Sequence, residues 1–163
     1  MKPFDFEKQA DEALEIWDDV CKELNIPHFL IYGTALGFYR GGGYIAGDSD
    51  IDTRVICKEK KWKELVKKLR EKGVIQSGKI QGWEFFYGQI PFAIERSEKI
   101  GTIVQGDGMI YKVMPLYASF DTIKYNGRIY HLPHPIEEYL ERRYGKNWKN
   151  PDSMWNKHGK HEA

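Results

Sequence analysis

The chain has 163 residues, 41% hydrophobic and 30% charged, a balance that excludes a disordered or fibrous chain and suits one soluble domain with its own core. Twenty-five Lys and Arg stand against 24 Asp and Glu, so the overall charge gives no argument for nucleic acid or an anionic membrane as partner. Cys21 and Cys57 form neither a disulfide framework nor a zinc spacing, and no signal peptide, lipidation motif or bilayer-length apolar run is present, so the expectation is a cytoplasmic protein.

In chain order, Phe6, Ala10, Ala13, Leu14, Trp17, Val20, Cys21 and Leu24 recur at steps of three and four, which predicts a long amphipathic helix. Asp5 is its expected N-cap and Pro27 marks its end. "HFLIYG" predicts a buried strand closed by Gly33, and "TALGFYR" a short helix from Thr34 to the triple glycine at 41–43. "SDIDTRVIC" alternates, with Ile51, Thr53 and Val55 on one face and Asp50, Asp52 and Arg54 on the other, as a strand does. Trp62, Leu65, Val66 and Leu69 predict a second amphipathic helix over 59–72, stopped at Gly73.

From Val74 to Tyr130 the pattern turns to short strand-like runs: "GVIQSG", "WEFFYG", "IPFAIER", "GMIYKVM", "FDTIKY" and "RIYHL". "YNGR" joins the last two as a hairpin turn. A final helix starts near Pro135, with Glu137 and Glu138 at its positive end, and runs to Tyr144 before Gly145; an irregular tail follows from about 146. With no repeat and no linker, residues 1–163 read as one α+β (α/β) domain.

The chemistry-bearing stretch is "GDSDID", residues 47–52. On a strand, Asp50 and Asp52 would share a face with Cα atoms roughly 6.5 to 7 Å apart. Two carboxylates so placed repel unless a cation lies between them, and hard oxygen ligands suit Mg2+ or Mn2+. The strand–Gly33–Thr34–helix segment adds backbone N–H groups at a helix start, which favour a phosphate. Sixteen residues separate Gly33 from Asp50. Together these are parts of a phosphoryl-transfer site.

"YGTALGFYRGGGYIAGDSDIDTRV" resembles the signature of the LicD/fukutin-type branch of the nucleotidyltransferase-fold superfamily, roughly G-T-L-L-G-x-x-R followed by D-x-D-h-D, where h is apolar. Gly33, Thr34, Leu36, Gly37 and Arg40 match its first half, and Asp48, Asp50 and Asp52 its second. "FDTIKYNGRIYHLPHPIEEYLERRYGKNWKNP" is similar to that family's C-terminal block, through Tyr139, Leu140, Tyr144, Gly145, Trp148 and Pro151. The resemblance implies a nucleotidyltransferase fold with a mixed sheet flanked by helices. It also implies a metal-dependent transferase that moves a phospho-alcohol, such as phosphocholine, ribitol phosphate or glycerol phosphate, from a CDP-linked donor to a glycan hydroxyl.

Carried over residue by residue, the resemblance makes Asp50 and Asp52 the ligands of Mg2+ or Mn2+. Gly33 and Thr34 would face the donor phosphates, with Gly37 on the same substrate-binding segment. Arg40 would neutralise phosphate charge, and Asp48 would orient a ligand or serve as an outer one. The family's third carboxylate follows "I-P" on a later strand; here that run is "QIPFAIERSE", so Ala93 stands in its position. Glu95, two residues on and on the same strand face, is the expected catalytic substitute, ahead of Glu84 and Asp121. A nucleotide donor with a small-molecule acceptor (general nucleotidyl transfer from an NTP) and a catalytically silent nucleotide- or glycan-binding module are the alternatives. The sequence carries no signal for nucleic-acid binding, a transmembrane segment or an oligomeric state.

The remaining candidates have simpler readings. His131 and His134 are expected to pack or lie at the surface, and His28 to be a polar edge residue. Tyr39, Tyr44 and Arg54 flank the motif as rim residues. Of Trp83, Phe85, Phe86 and Tyr87, alternation puts two inward and two outward. Lys112 reads as a solvated strand lysine, and Tyr144 and Trp148 as packing that closes the fold.

Overall fold

Alternating apolar residues and breaks at glycine divide the chain much as its pattern predicts. The computed structural model describes residues 5–78, 82–100, 103–106, 109–112 and 120–151. The helix α1 (Phe6–Glu23) is capped by Asp5, whose carboxylate accepts from the N–H of Lys8 at 3.1 Å. Then come β1 (His28–Leu30), α2 (Tyr32–Gly41), β2 (Ile51–Ile56) and α3 (Glu59–Glu71). The strands β3 (Val74–Gln76), β4 (Glu84–Tyr87), β5 (Ile90–Ile100), β6 (Ile103–Gly106) and β7 (Met109–Lys112) follow. A hairpin of β8 (Asp121–Tyr125) and β9 (Arg128–Leu132) precedes α4 (Ile136–Tyr144).

Among the described residues the main sheet runs β1-β2-β5-β4-β3, with β6 on the far half of β5 and β7 on β6. Only β2 and β5 are parallel; the other pairs are antiparallel, so the sheet is mixed as expected. In register, Ile51, Phe92 and Phe85 form one row and Asp52, Ala93 and Glu84 the next. Successive residues of a strand face opposite ways, so the two rows lie on opposite faces. The apolar row meets the helices: Trp17 of α1 lies 6.2 Å from the Phe92 ring, and Trp62 of α3 lies 5.8 Å from Phe85. The acidic row faces α2's side of the sheet, which is how the fold separates core from site.

Several boundaries differ from the sequence pattern: β2 begins at Ile51, which leaves Asp50 before the strand rather than on it, and β5 runs on to Ile100. β1 stops at Leu30, and α2 begins at Tyr32 rather than Thr34. Apolarity at Ile31 and Tyr32 reflects burial at a strand-to-helix turn, which periodicity does not distinguish from strand. The hairpin turn matches: Asn126 and Gly127 have φ of 49° and 74°, the two positive values that a type I′ turn needs. Phe85 points into the core while Trp83 and Phe86 are exposed, and the half-buried Tyr87 donates its hydroxyl to Glu12 at 3.0 Å. The side chain of Lys112 and the tail beyond residue 151 lie outside the described residues.

One residue breaks the apolar face of α1. Asp18 is only 1% exposed, and it accepts from His28 Nε2 at 2.7 Å, Lys22 Nζ at 2.9 Å and Arg128 Nη1 at 3.1 Å. His28, expected at an edge, is instead buried, with its other ring nitrogen 2.8 Å from the Ile26 carbonyl. This cluster joins α1, β1 and the β8–β9 hairpin. A carboxylate this deep is tolerated because cations and hydrogen bonds replace its water.

Burial by itself would raise the Asp18 carboxyl, but the hydrogen bonds and charges of His28 and Lys22 outweigh it and hold the group down, from 3.8 to about 2. A carboxyl depressed on folding stabilises above its unfolded pKa, and the effect is lost as pH falls from about 4 toward 2. Asp18→Asn should therefore cost about 2 kcal/mol near neutral pH, measured by urea unfolding. The gap to the unsubstituted protein should shrink steadily below pH 4.

Candidate active site

The site is built where the start of α2 meets β2. The N–H of Asp52 donates to Thr34 Oγ1 at 2.9 Å, and the Asp52 carbonyl accepts from the N–H of Ile31 at 3.1 Å. Both backbone groups of Asp52 are thus held by the segment that starts the helix. Thr34 is fully buried, so its side chain holds Asp52 in place rather than opening toward a ligand. Asp50, just before β2, and Asp52 are both half-buried, two residues apart along the chain. Asp48 is buried deeper and accepts from the N–H of Ser49 at 2.9 Å.

Gly37 has a steric rather than a ligand-facing explanation. A Cβ there would lie 2.5 Å from the Gly43 carbonyl oxygen and 3.0 Å from the Ile45 nitrogen. The absence of a side chain lets the loop after α2 return across the helix and lead into Asp48. Gly42 makes that return possible as a left-handed C-cap, with φ of 77°.

Ala93 pairs in register with Asp52, which puts a methyl group where the resemblance implies a carboxylate. Glu84 pairs with Ala93 from the other side and is half-buried. Glu95 sits two pairs further along, on the same face, opposite Arg54. It is bound there: the almost fully buried Arg54 donates to its carboxylate and also to Ser97 Oγ at 2.7 Å, and the Tyr32 hydroxyl donates to Glu95 at 3.3 Å. Burial raises the Glu95 carboxyl, against the opposing pull of Arg54 and Arg143. Arg54, expected at the rim, is a buried ion-pair partner. Asp121 is also engaged elsewhere, accepting from the N–H of Ile136 at 2.8 Å and facing His134 Nδ1 at 3.1 Å, so it caps α4. Among the described residues, no three His, Cys, Asp or Glu side chains converge as a cation cage.

The C-terminal block packs onto this centre. Tyr139 Oη accepts from the N–H of Tyr32 at 3.0 Å, and the guanidinium of Arg143 lies 4.1 Å over the Tyr32 ring. Tyr32 itself has φ of 46°, a left-handed conformation uncommon for a bulky residue. Its N–H, hydroxyl and ring are each engaged by a different side chain. Tyr144 is fully buried, and burial together with the charges of Asp52 and Asp48 pushes its hydroxyl well above the ordinary range. At the other end of α2, Arg40 donates to the Trp148 carbonyl at 2.9 Å. Tyr39 lies 5.9 Å from the Trp148 ring.

The family model for the LicD/FKTN/FKRP nucleotidyltransferase domain matches residues 25–133, which span both the α2–β2 site and the full main sheet. The chain belongs to this LicD/FKTN/FKRP family. Among its relatives are proteins named ribitol-5-phosphate transferase FKTN, 27% identical in Mus musculus and 25% identical in Homo sapiens. Each match covers 92% of this chain but 35% of the relative, so the LicD-type chain spans about a third of their length. The solution structure of antibiotic-resistance factor ANT(2'')-Ia aligns with a TM-score of 0.62, covering 94% of this chain and 80% of that one at 13% identity. A crystal structure of ANT(2'')-Ia in complex with adenylyl-2''-tobramycin aligns at 0.55, covering 89% and 80%, also at 13% identity. At that identity the likeness is one of fold, and it agrees with the nucleotidyltransferase architecture expected for a LicD-type domain.

Sequence reasoning did not single out Tyr32 or Arg143, and it matched Tyr139 to the C-terminal block without giving it a role in the site. They lie within the two blocks, but residue type alone gave no reason to separate them from packing. For the LicD-type site, Gly37→Ala should cost about 1–3 kcal/mol by forcing the 43–45 loop away. Thermal melting would register this as a fall in Tm. Thr34→Val keeps the volume but strips the Asp52 N–H of its acceptor, and should lower stability in urea by about 1–3 kcal/mol.

Proposed function

We propose that this LicD-type domain is a metal-dependent transferase that moves a phospho-alcohol from a CDP-linked donor to a glycan hydroxyl. The observation that carries this reading is Asp52 held at the start of α2, with Asp50 two residues before it in the chain, in a protein matched by the LicD/FKTN/FKRP family. The ribitol-5-phosphate transferase named among its relatives supports a phospho-alcohol as the group moved.

A divalent ion fits the donor set. Mg2+ typically takes one or two carboxylates and completes its shell with water and substrate phosphate oxygens. Asp50 and Asp52 would hold the ion without a third protein carboxylate, consistent with Ala93 beside Asp52. Bound there, Mg2+ or Mn2+ would neutralise charge on the phosphate oxygens.

The acceptor oxygen forms a bond to the phosphorus that bears the alcohol. The bridging bond to CMP breaks, and CMP leaves with the electron pair. The acceptor proton passes to Glu84, the carboxylate that shares a sheet row with Asp52 across Ala93. Glu95 serves as a positioning residue, because Arg54 and Tyr32 already hold its carboxylate.

With a panel of CDP-alcohols, Asp50→Asn and Asp52→Asn should each lower turnover at least about a hundredfold and abolish calorimetric Mn2+ binding while the circular dichroism spectrum is kept. Full activity in either variant would sink the mechanism. Release of CMP supports the reading, whereas pyrophosphate released from an NTP would assign nucleotidyl transfer instead. Absence of turnover across both donor panels, with binding retained, would leave a nucleotide- or glycan-binding module.

A further inference from the structure

The two carboxylates at the head of β2 are anchored differently. Asp52 is held through its own backbone by the start of α2. Asp50 lies before the strand, at the end of the loop that returns across that helix. A divalent ion shared by the pair needs both ends held, because each ligand distance tolerates only about 0.2 Å.

The loop over 42–48 is pinned at successive residues. The N–H of Gly43 donates to the Gly37 carbonyl at 3.3 Å, and Ile45 lies so close to Gly37 that a Cβ there would meet its Cγ1 at 3.1 Å. The N–H of Asp48 donates back to the Ile45 carbonyl at 2.9 Å, and the Asp48 carboxylate accepts from the N–H of Ser49 at 2.9 Å. Tyr44, expected at the rim of the motif, is turned instead toward α1. Its hydroxyl donates to Asp11 Oδ1 at 2.7 Å. Its ring meets Phe6 at 5.3 Å and Phe38 of α2 at 5.1 Å, edge to face in both cases.

Asp11 gathers the β8–β9 hairpin as well. The same Oδ1 accepts from the Tyr125 hydroxyl at 2.8 Å, and Oδ2 accepts from Asn126 Nδ2 at 3.0 Å. Burial first, and then the hydrogen bond to Asp11, hold both tyrosine hydroxyls well above their ordinary range, so each stays a donor. A carboxylate that accepts from three side chains on two other elements is a fixed post, not a solvated surface charge.

We infer that Asp11 is a positioning residue for the metal site: through the Tyr44 hydroxyl it holds the 42–48 loop, and with it the Asp50 end of the ligand pair, against α1. The inference rests on the reading of Asp50 and Asp52 as ligands of a divalent ion. From Asp11 an unbroken run of bonds passes through Tyr44, Ile45 and Asp48 to Ser49, the residue before Asp50. Loss of the Tyr44 hydroxyl releases the loop without touching a ligand or changing a charge, so affinity for the ion falls.

Calorimetry of Mn2+ with the full chain tests this, with Tm measured on every variant. Tyr44→Phe, which keeps the ring, should weaken Mn2+ binding about fivefold, and Asp11→Ala by at least as much. Asp11→Asn keeps an oxygen acceptor and should recover part of the loss. Tyr87→Phe removes a like hydroxyl from Glu12 of the same helix, a bond of 3.0 Å, and Asp18→Asn loosens the other end of α1. Both should lower Tm yet keep Mn2+ affinity within about twofold of native.

If Asp11→Ala fails to fold, Tyr44→Phe decides alone. Native-like Mn2+ affinity in Tyr44→Phe overturns the inference and leaves the metal reading standing. Equal weakening in Tyr44→Phe, Tyr87→Phe and Asp18→Asn also overturns it, because the effect is then one of general stability. A native chain that binds no Mn2+ overturns both.

Discussion

The two backbone groups of Asp52 are both bound by the chain that opens α2, its N–H by Thr34 Oγ1 and its carbonyl by the N–H of Ile31. This clamp couples a strand to a helix start across 18 residues of sequence, and the geometry of the site follows from it. A carboxylate on a strand end would otherwise move with the loop that precedes it. Here the backbone that carries the Asp52 side chain is tied to the same turn that presents Gly33 and Thr34. The loop between them, 42–48, can return only because Gly37 has no Cβ to meet Gly43. The glycine, the threonine and the aspartate are therefore parts of one joint.

Tyr32 extends that joint to the C-terminal block. Its left-handed backbone costs on the order of 1–3 kcal/mol and is held by contacts from β5 and α4. Glu95 takes its hydroxyl, Tyr139 its N–H and Arg143 its ring. Glu95 in turn is anchored by the buried Arg54. On this face the Glu95 carboxylate is thus paired with a buried guanidinium and a tyrosine hydroxyl. Removal of one partner from such a buried set costs more than the pair gains, which makes the set rigid.

On the opposite side of the same strands, Asp18 does for the scaffold what Glu95 does for the site. It gathers Lys22, His28 and Arg128, and so ties α1 to β1 and to the β8–β9 hairpin. The hairpin hands the chain on to α4, whose first turn is capped by Asp121. The position of Arg143 over Tyr32 thus depends on a succession of polar contacts that begins in the first helix.

Much of this was legible in the order of residues. Periodicity marked α1 and α3, Pro135 and Gly145 bracketed α4, the Asn-Gly turn marked its hairpin, and the mixed sheet followed from the two motif blocks. Asp52 on the site face of β2, and Ala93 in place of a carboxylate, were visible from alternation and motif matching alone, because both are local properties of the chain; Asp50, expected on the same strand, lies just before it. What a charged or hydroxyl side chain touches is not local. Thr34 and Arg40, which the motif directs to phosphate, bond to Asp52 and Trp148; His28, read as an edge residue, is buried on Asp18; and Glu95 is held by Arg54. Each of those pairings joins residues between 10 and 108 positions apart. Sequence by itself determined which residues share a face and where the backbone turns, since those depend on neighbours a few residues away. Only the tertiary structure decided which cation meets which anion, because that depends on distances between elements that no spacing along the chain records.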